Sequence, residues 1–160
     1  MFEELSLHIL DIAMNSLAAN ARTVEISVLE SQKRDWLILR VRDDGKGMDA
    51  TTLHRVLHSR STTKTSRRKN IGLCLALLRQ TSEMCNGHFH VRSATGKGTS
   101  VTASMQLSHI DRPALGDLNS TILTLCAANP NVDVRLHYTT DKGKFHFSSQ
   151  ELNPKGEVQQ

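Results

Sequence analysis

Cysteine, proline and aromatic side chains are all scarce in these 160 residues: three Cys, three Pro, four Phe, one Trp and one Tyr. Cys74, Cys85 and Cys126 stand far apart with no CxxC pair. That spacing excludes a disulfide framework, makes no zinc site by itself, and suits a reducing cytoplasm. No apolar run approaches the roughly 18 residues of a membrane span, so no membrane association is expected. The opening MFEELSLHIL places two acids where a secretory leader carries basic residues, and no export signal is expected. Acids are also absent between Arg55 and Lys69, where six of the twenty Lys and Arg fall. The net charge of +4 is therefore a local excess. These cations are not interleaved with aromatics, which disfavours a nucleic-acid binder.

The length suits one domain with a proper core. Residues 5–21, LSLHILDIAMNSLAANA, contain no Gly or Pro and are apolar nearly all round. The exception is a stripe at His8, Asp11 and Asn15, whose spacings of three and four set them on one face of a helix. Period-two alternation follows. Val24, Ile26 and Val28 face one way, and after ESQKRD so do Leu37, Leu39, Val41 and Asp43, a hairpin that carries a carboxylate inward at its end. Asp49 is placed to cap a short helix bearing Leu53, Val56 and Leu57. Residues 59–70 are polar and basic without periodicity, as in a long loop or lid. Leu73, Leu77, Leu78, Thr81 and Met84 then repeat at helical spacing until Asn86 and Gly87. Phe89 and Val91, the turn ATGKG, and Val101, Ala103, Met105 and Leu107 mark a second hairpin. Leu115, Leu118, Ile122 and Leu125 predict a helix ending near Pro130. VDVRLHY and KFHFSS around DKG predict a third hairpin, and residues 153–160 read as a flexible tail. The expected class is α+β, a two-layer sandwich with a mixed, mainly antiparallel sheet and helices on one face.

Four elements carry the chemistry: a helix with Asp11 and Asn15, a strand ending in DxGxG at Asp43, Gly45 and Gly47, a basic Ser/Thr-rich lid leading to Gly72, and a GKGT turn ending at Thr99. Each alone is weak, because a DxGxG is also what a tight turn after an edge strand looks like. In this order and spacing they resemble the GHKL, or Bergerat-fold, ATPase superfamily, which includes sensor histidine kinases, type II topoisomerases and mismatch-repair ATPases. DIAMNSLAANA resembles its N box, VRDDGKGM its first glycine box, KNIGLCLA its second and GKGTSVTASM its last. The resemblance covers roughly residues 5–107. It divides the chain into a histidine kinase-like ATPase domain over 1–109 and an appended helix and hairpin over 110–152. In the second glycine box Cys74 stands where the usual pattern has glycine, and Asp11 stands where many members carry Glu.

The resemblance implies ATP and Mg²⁺ as ligands, and the residue types suit them. Asp43 is an acceptor for the exocyclic amine of adenine, which guanine lacks. Thr99 supports the same edge, and Gly45 and Gly47 let the backbone pass close to the nucleotide. Asn15 offers a neutral oxygen to Mg²⁺. Thr62, Thr63, Lys64, Arg67 and Lys69 offer hydroxyls and cations to a triphosphate, and Gly72 frees amides at a helix start. Asp11 is the candidate catalytic carboxylate. The function implied is a cytoplasmic Mg-ATP-binding regulator, akin to histidine kinases and anti-sigma serine kinases, that phosphorylates a partner protein in trans or hydrolyses ATP. The alternative is a nucleotide-gated interaction module that moves no phosphate.

Other conspicuous residues have plainer readings. His54 and His58 have zinc-like spacing, yet HRVLH lacks the Glu of HExxH and reads as two exposed histidines. His88 and His90 read as the solvent side of a strand, and Cys74 as a small packing residue. The context of His8 does not resemble a phospho-acceptor box.

Overall fold

The computed structural model describes residues 4–58 and 71–152, giving only the backbone for 71–73 and 151–152. The first helix, α1 (Leu5–Ala18), buries Leu5, Ser6, His8, Ile9, Ile12, Ala13 and Ser16. Its first turn has no side-chain cap. The orphan amides of Leu5 and Ser6 instead donate to the carbonyls of Ala114 and Leu115 at 2.9 and 2.8 Å, so a distant segment does the work of a cap. The expected polar stripe divides: His8 is buried, Asp11 exposed, and Asn15 in between. The helix hides small hydroxyls at Ser6 and Ser16 while leaving Leu7 and Met14 exposed, a pattern that hydrophobicity alone does not foretell.

The first hairpin joins β1 (Thr23–Ser31) to β2 (Trp36–Asp43), in antiparallel register from Val24 opposite Asp43 to Ser31 opposite Trp36. As the alternation predicts, Val24, Ile26, Val28, Leu37, Leu39 and Val41 are buried. The short helix α2 (Ala50–His58) starts where Asp49 Oδ1 accepts the Thr52 amide at 2.8 Å, a side-chain N-cap. In α3 (Ile71–Met84) the buried stripe is Leu75, Leu78, Thr81 and Ser82, continuing to Cys85 just beyond the helix, while Leu77 is exposed. The core face is thus rotated from the expected one, because Thr81 and Ser82 return their hydroxyls to the carbonyls of Leu77 and Leu78 and can be buried at little cost. Asn86, at φ 62°, ends the turn after it.

The hairpin of β3 (Phe89–Ala94) and β4 (Gly98–Gln106) adds to β2 through β4. After α4 (Leu118–Ala128), capped by Asp117 accepting from Ser120, come β5 (Asp133–Thr140), β6 (Gly143–Ser148) and the single turn α5 (Ser149–Leu152). β5 lies parallel to β1, residue for residue from Thr23 opposite Asp133 to Glu30 opposite Thr140. The result is one six-stranded mixed sheet in the order β3-β4-β2-β1-β5-β6, an α+β fold. Leu5, Ile9 and Ile12 of α1, Leu75 and Leu78 of α3, and Leu118, Ile122 and Leu125 of α4 share one apolar cluster with the inward residues of the strands. These helices therefore cover one sheet face. No described helix is long and apolar enough to cross a membrane.

Candidate functional site

The end of β2, the end of α1 and the turn between β3 and β4 meet at one edge of the core. Asp43 continues the inward parity of Leu39 and Val41, yet its carboxylate meets polar partners and not hydrocarbon. Ser16 Oγ donates to Asp43 Oδ2 at 2.6 Å, and the Gly45 amide donates to Oδ1 at 2.8 Å. Both oxygens are thereby fixed, and a carboxylate with about four acceptor positions keeps capacity for a further donor. Thr99 stands directly opposite Asp43 in the β2–β4 register. Its Oγ1 lies 2.8 Å from Ser93 Oγ, which also accepts the Met48 amide at 2.8 Å. The neighbouring Asp44 has a different task. It accepts the amides of Arg22 and Thr23 at 2.8 and 3.0 Å. Burial pushes its carboxyl up, but these two hydrogen bonds outweigh burial and hold it below the usual range.

Gly45 and Gly47 are required by protein backbone. A Cβ on Gly45 would stand 2.7 Å from the Ala19 carbonyl oxygen, and one on Gly47, at φ 70°, would stand 2.0 Å from that of Ala94. Gly98 answers from the other side, where a Cβ would lie 2.0 Å from the Asp43 carbonyl oxygen at φ 87°. Two turns are thus pressed main chain on main chain, closed by Gly96 donating to Lys46 at 2.7 Å. Gly47→Ala is expected to lower stability by more than the roughly 1–2 kcal/mol that a left-handed φ alone costs. Gly96→Ala, at φ 78° with no described residue within 4 Å of the added Cβ, isolates the φ contribution. Thermal midpoints of the two variants should differ, and equal midpoints would show that the turns are not in contact.

On α1, Asp11 and Asn15 stand one turn apart. Asn15 Nδ2 donates to the Asp11 carbonyl at 3.1 Å, which leaves its amide oxygen, the hard donor atom, outside that bond. Gly72 lies in the first turn of α3, which packs against α1. Thr62, Thr63, Lys64, Arg67 and Lys69 lie outside the described residues. The candidate residues brought together are therefore Asp43, Gly45, Gly47 and Thr99, with Asn15 adjoining through Ser16. Ser16 and Ser93 were missed by sequence reasoning. The legible signal for Ser16 was a small hydroxyl next to Asn15 within an apolar helix, whereas nothing marked Ser93 in a strand.

A sequence model of the family described as histidine kinase-, DNA gyrase B-, and HSP90-like ATPase matches residues 1–109. The chain belongs to this ATPase family. It is 33% identical over 90 residues to the sensor histidine kinase YvrG of Bacillus subtilis (strain 168), a match covering 55% of this chain and 16% of that protein. Among solved structures it is similar to the N-terminal domain of a DNA repair protein, with TM-score 0.59 and 16% identity over 89% of this chain and 51% of the other. It is also similar to the Aquifex aeolicus MutL ATPase domain complexed with ADP, with TM-score 0.53 and 15% identity over 90% and 62% of the two chains. These two likenesses concern the fold. The chain spans about one sixth of the length of the curated relative and about half to three fifths of the two structures. Asp43 ends β2, Thr99 stands opposite it near the start of β4, and Asn15 lies on α1 beside Ser16, which bonds Asp43.

Ser16→Ala tests how far Asp43 depends on its fixed orientation. Removing one neutral donor to a carboxylate is worth about 1–2 kcal/mol, so ATP affinity is expected to fall by about five- to thirtyfold with the fold retained. Isothermal titration with ATP reads this directly, and an unchanged affinity would separate Ser16 from the site.

Proposed function

We propose that this domain is a regulatory Mg-ATP-binding protein of the cytoplasm that acts on a partner protein, transferring the terminal phosphate in trans or hydrolysing ATP. The observation that carries this reading is the Asp43 carboxylate, clamped by Ser16 and the Gly45 amide beside Thr99. A fixed acceptor at the open end of a core strand suits the adenine amine and opposes a carbonyl at the same place, so it selects adenine over guanine. Asn15, one residue from Ser16, supplies the oxygen suited to Mg²⁺, and the Asp11 carboxylate lies one turn away on the same helix. The metal's contribution is to neutralise phosphate charge. The basic residues from Thr62 to Lys69 and the helix start at Gly72 are assigned to the phosphates.

Asn15→Ala is expected to weaken ATP binding when Mg²⁺ is present and to leave it unchanged in EDTA, because the lost atom is assigned to the metal and not to the base. Titrations in both buffers check this, and a defect that persists in EDTA would make Asn15 structural. A second reading, a nucleotide-gated module without phosphoryl transfer, is favoured by the short side chain of Asp11 on an exposed helix surface. Incubation with γ-labelled ATP and cell extract separates the two readings, since only a kinase labels a second protein.

A further inference from the structure

The sheet face opposite the helices carries a basic trough that ends beside the nucleotide site: its Arg42, Arg92 and Ser100 also line the hollow at Asp43 and Thr99. Register places Arg40 opposite Thr102 and His90 opposite the same Thr102; one step along, Arg42 and Arg92 flank Ser100. Short hydroxyls on the middle strand β4 thus form a floor, with Arg40 and Arg42 on β2 and His90 and Arg92 on β3 as two walls about two strand spacings apart, roughly 10 Å. These six residues line one trough of about 540 Å³. The four basic side chains are exposed, and the outward positions of β2, β3 and β4 hold no acid. Glu25, on β1, approaches Arg42 at 3.7 Å, a long, half-buried pair of little energetic weight, since the other Glu25 oxygen lies 2.8 Å from His137 Nε2.

The same face continues along β2 to Trp36, Ile38 and Leu29. Trp36 and Leu29 are 39% and 37% exposed, Leu29 pairs with Ile38, and all three line a neighbouring hollow of about 270 Å³ whose other side holds Arg34 and the carboxylates of Glu30 and Asp141, these two already engaged by Tyr138 and by Ser31, Gln32 and Lys33. From Trp36 to Arg42 the strand runs about 20 Å, from aromatic and aliphatic contacts to cations only. An exposed Trp beside Arg is the composition of protein-binding hot spots. A nucleic-acid strand would find a single small ring, the His90 imidazole, within these rows for its bases to stack on, and its charged backbone has no use for Leu29 and Ile38.

We propose that this face docks a partner protein through an extended segment in which a block of Asp and Glu adjoins Leu or Ile. The carboxylates lie in the Arg40–Arg92 trough and the apolar residues on Trp36. Trp36 is the chain's sole tryptophan, so its emission reports occupancy. The probe is a short acetylated peptide with an Asp/Glu block followed by a Leu/Ile block, titrated into the full chain at low salt. The expected result is a saturable shift of Trp36 emission that weakens with added salt and is unaffected by saturating Mg-ATP. In Arg40→Glu/Arg92→Glu the affinity should fall about tenfold or more. Circular dichroism checks that these two exposed substitutions leave the fold intact, and Arg92→Glu alone, on strand β3 nearest the sheet edge, gives the same test with one change. Any of these results would overturn the proposal: no emission change; equal affinity in the charge-reversed variants; displacement of the peptide by duplex DNA at lower concentration than by free peptide; or competition by Mg-ATP, which would place the peptide in the nucleotide site. Sedimentation showing that native chains self-associate through this face, and that Arg92→Glu disperses them, would assign it to a second copy and equally remove the partner.

Discussion

Asp43→Asn is expected to abolish or greatly weaken ATP binding while the domain stays folded. The carboxylate accepts on both oxygens, from Ser16 and from the Gly45 amide. An amide in its place presents NH₂ at one of those positions. If the NH₂ faces Gly45, two N–H donors oppose each other, and if it faces the base, it opposes the adenine amine. The Ser16 hydroxyl can turn to accept, so stability changes less than affinity. Loss of a charge-assisted bond of about 1.5–3 kcal/mol corresponds to about ten- to 150-fold in affinity. The native protein should bind GTP poorly for the same reason, because the guanine carbonyl brings an acceptor to an acceptor. Calorimetry with ATP and GTP on both proteins is the measurement. Equal affinities of the native protein for the two nucleotides would remove Asp43 from base recognition.

Asp11 separates binding from chemistry. Asp11→Asn is expected to leave Mg-ATP affinity nearly unchanged, since Asn15 and Asp43 retain their roles, while turnover falls by roughly 10² to 10⁴, the effect of a lost general base. Asp11→Glu adds one methylene of reach and is the informative third protein. A gain in rate would show that the native carboxylate stands slightly short of the reacting group. Background turnover in all three, with ATP binding intact, is the result expected of the nucleotide-gated module. Phosphate release that survives unaltered in Asp11→Asn would take Asp11 out of the catalytic machinery and leave the ATP site standing.

The parts of this fold that sequence made legible are those where one period rules. Val24, Ile26 and Val28 against Leu37, Leu39 and Val41 could be paired because a half-buried hairpin admits one alternation, and that alternation carried Asp43 inward with them. Asp49 announced its helix through capping chemistry, whose signal is local. Helix faces were less legible, because a buried Ser or Thr that bonds its own helix looks polar in the sequence and behaves as packing in the fold. The stripe of α3 turned toward Ser82 for that reason. At the site, the motif residues were recognisable by order and spacing, but their partners were not. Ser16 reaches Asp43 across 27 positions, and Ser93 reaches Met48 across 45. Glycines 45 and 47 were legible as necessary, but one cause was not: an added Cβ would also meet the carbonyl oxygens of Ala19 and Ala94.

The parallel pairing of β5 with β1 bears on how this chain avoids a hazard common to open sheets. Without β5, the N–H and C=O groups of β1 from Thr23 to Glu30 would form an exposed template next to Val24, Ile26 and Val28, a strand rich in the residues that favour intermolecular pairing. Parallel addition seals that template with a partner that must itself arrive by way of α4. The new sheet edge is then β6, whose six residues GKFHFS include a glycine and a lysine and end against the single turn α5. The segment beyond residue 109 thus trades a long, greasy edge for a short one with charge and a built-in stop, keeping the ATP-binding half from templating copies of itself.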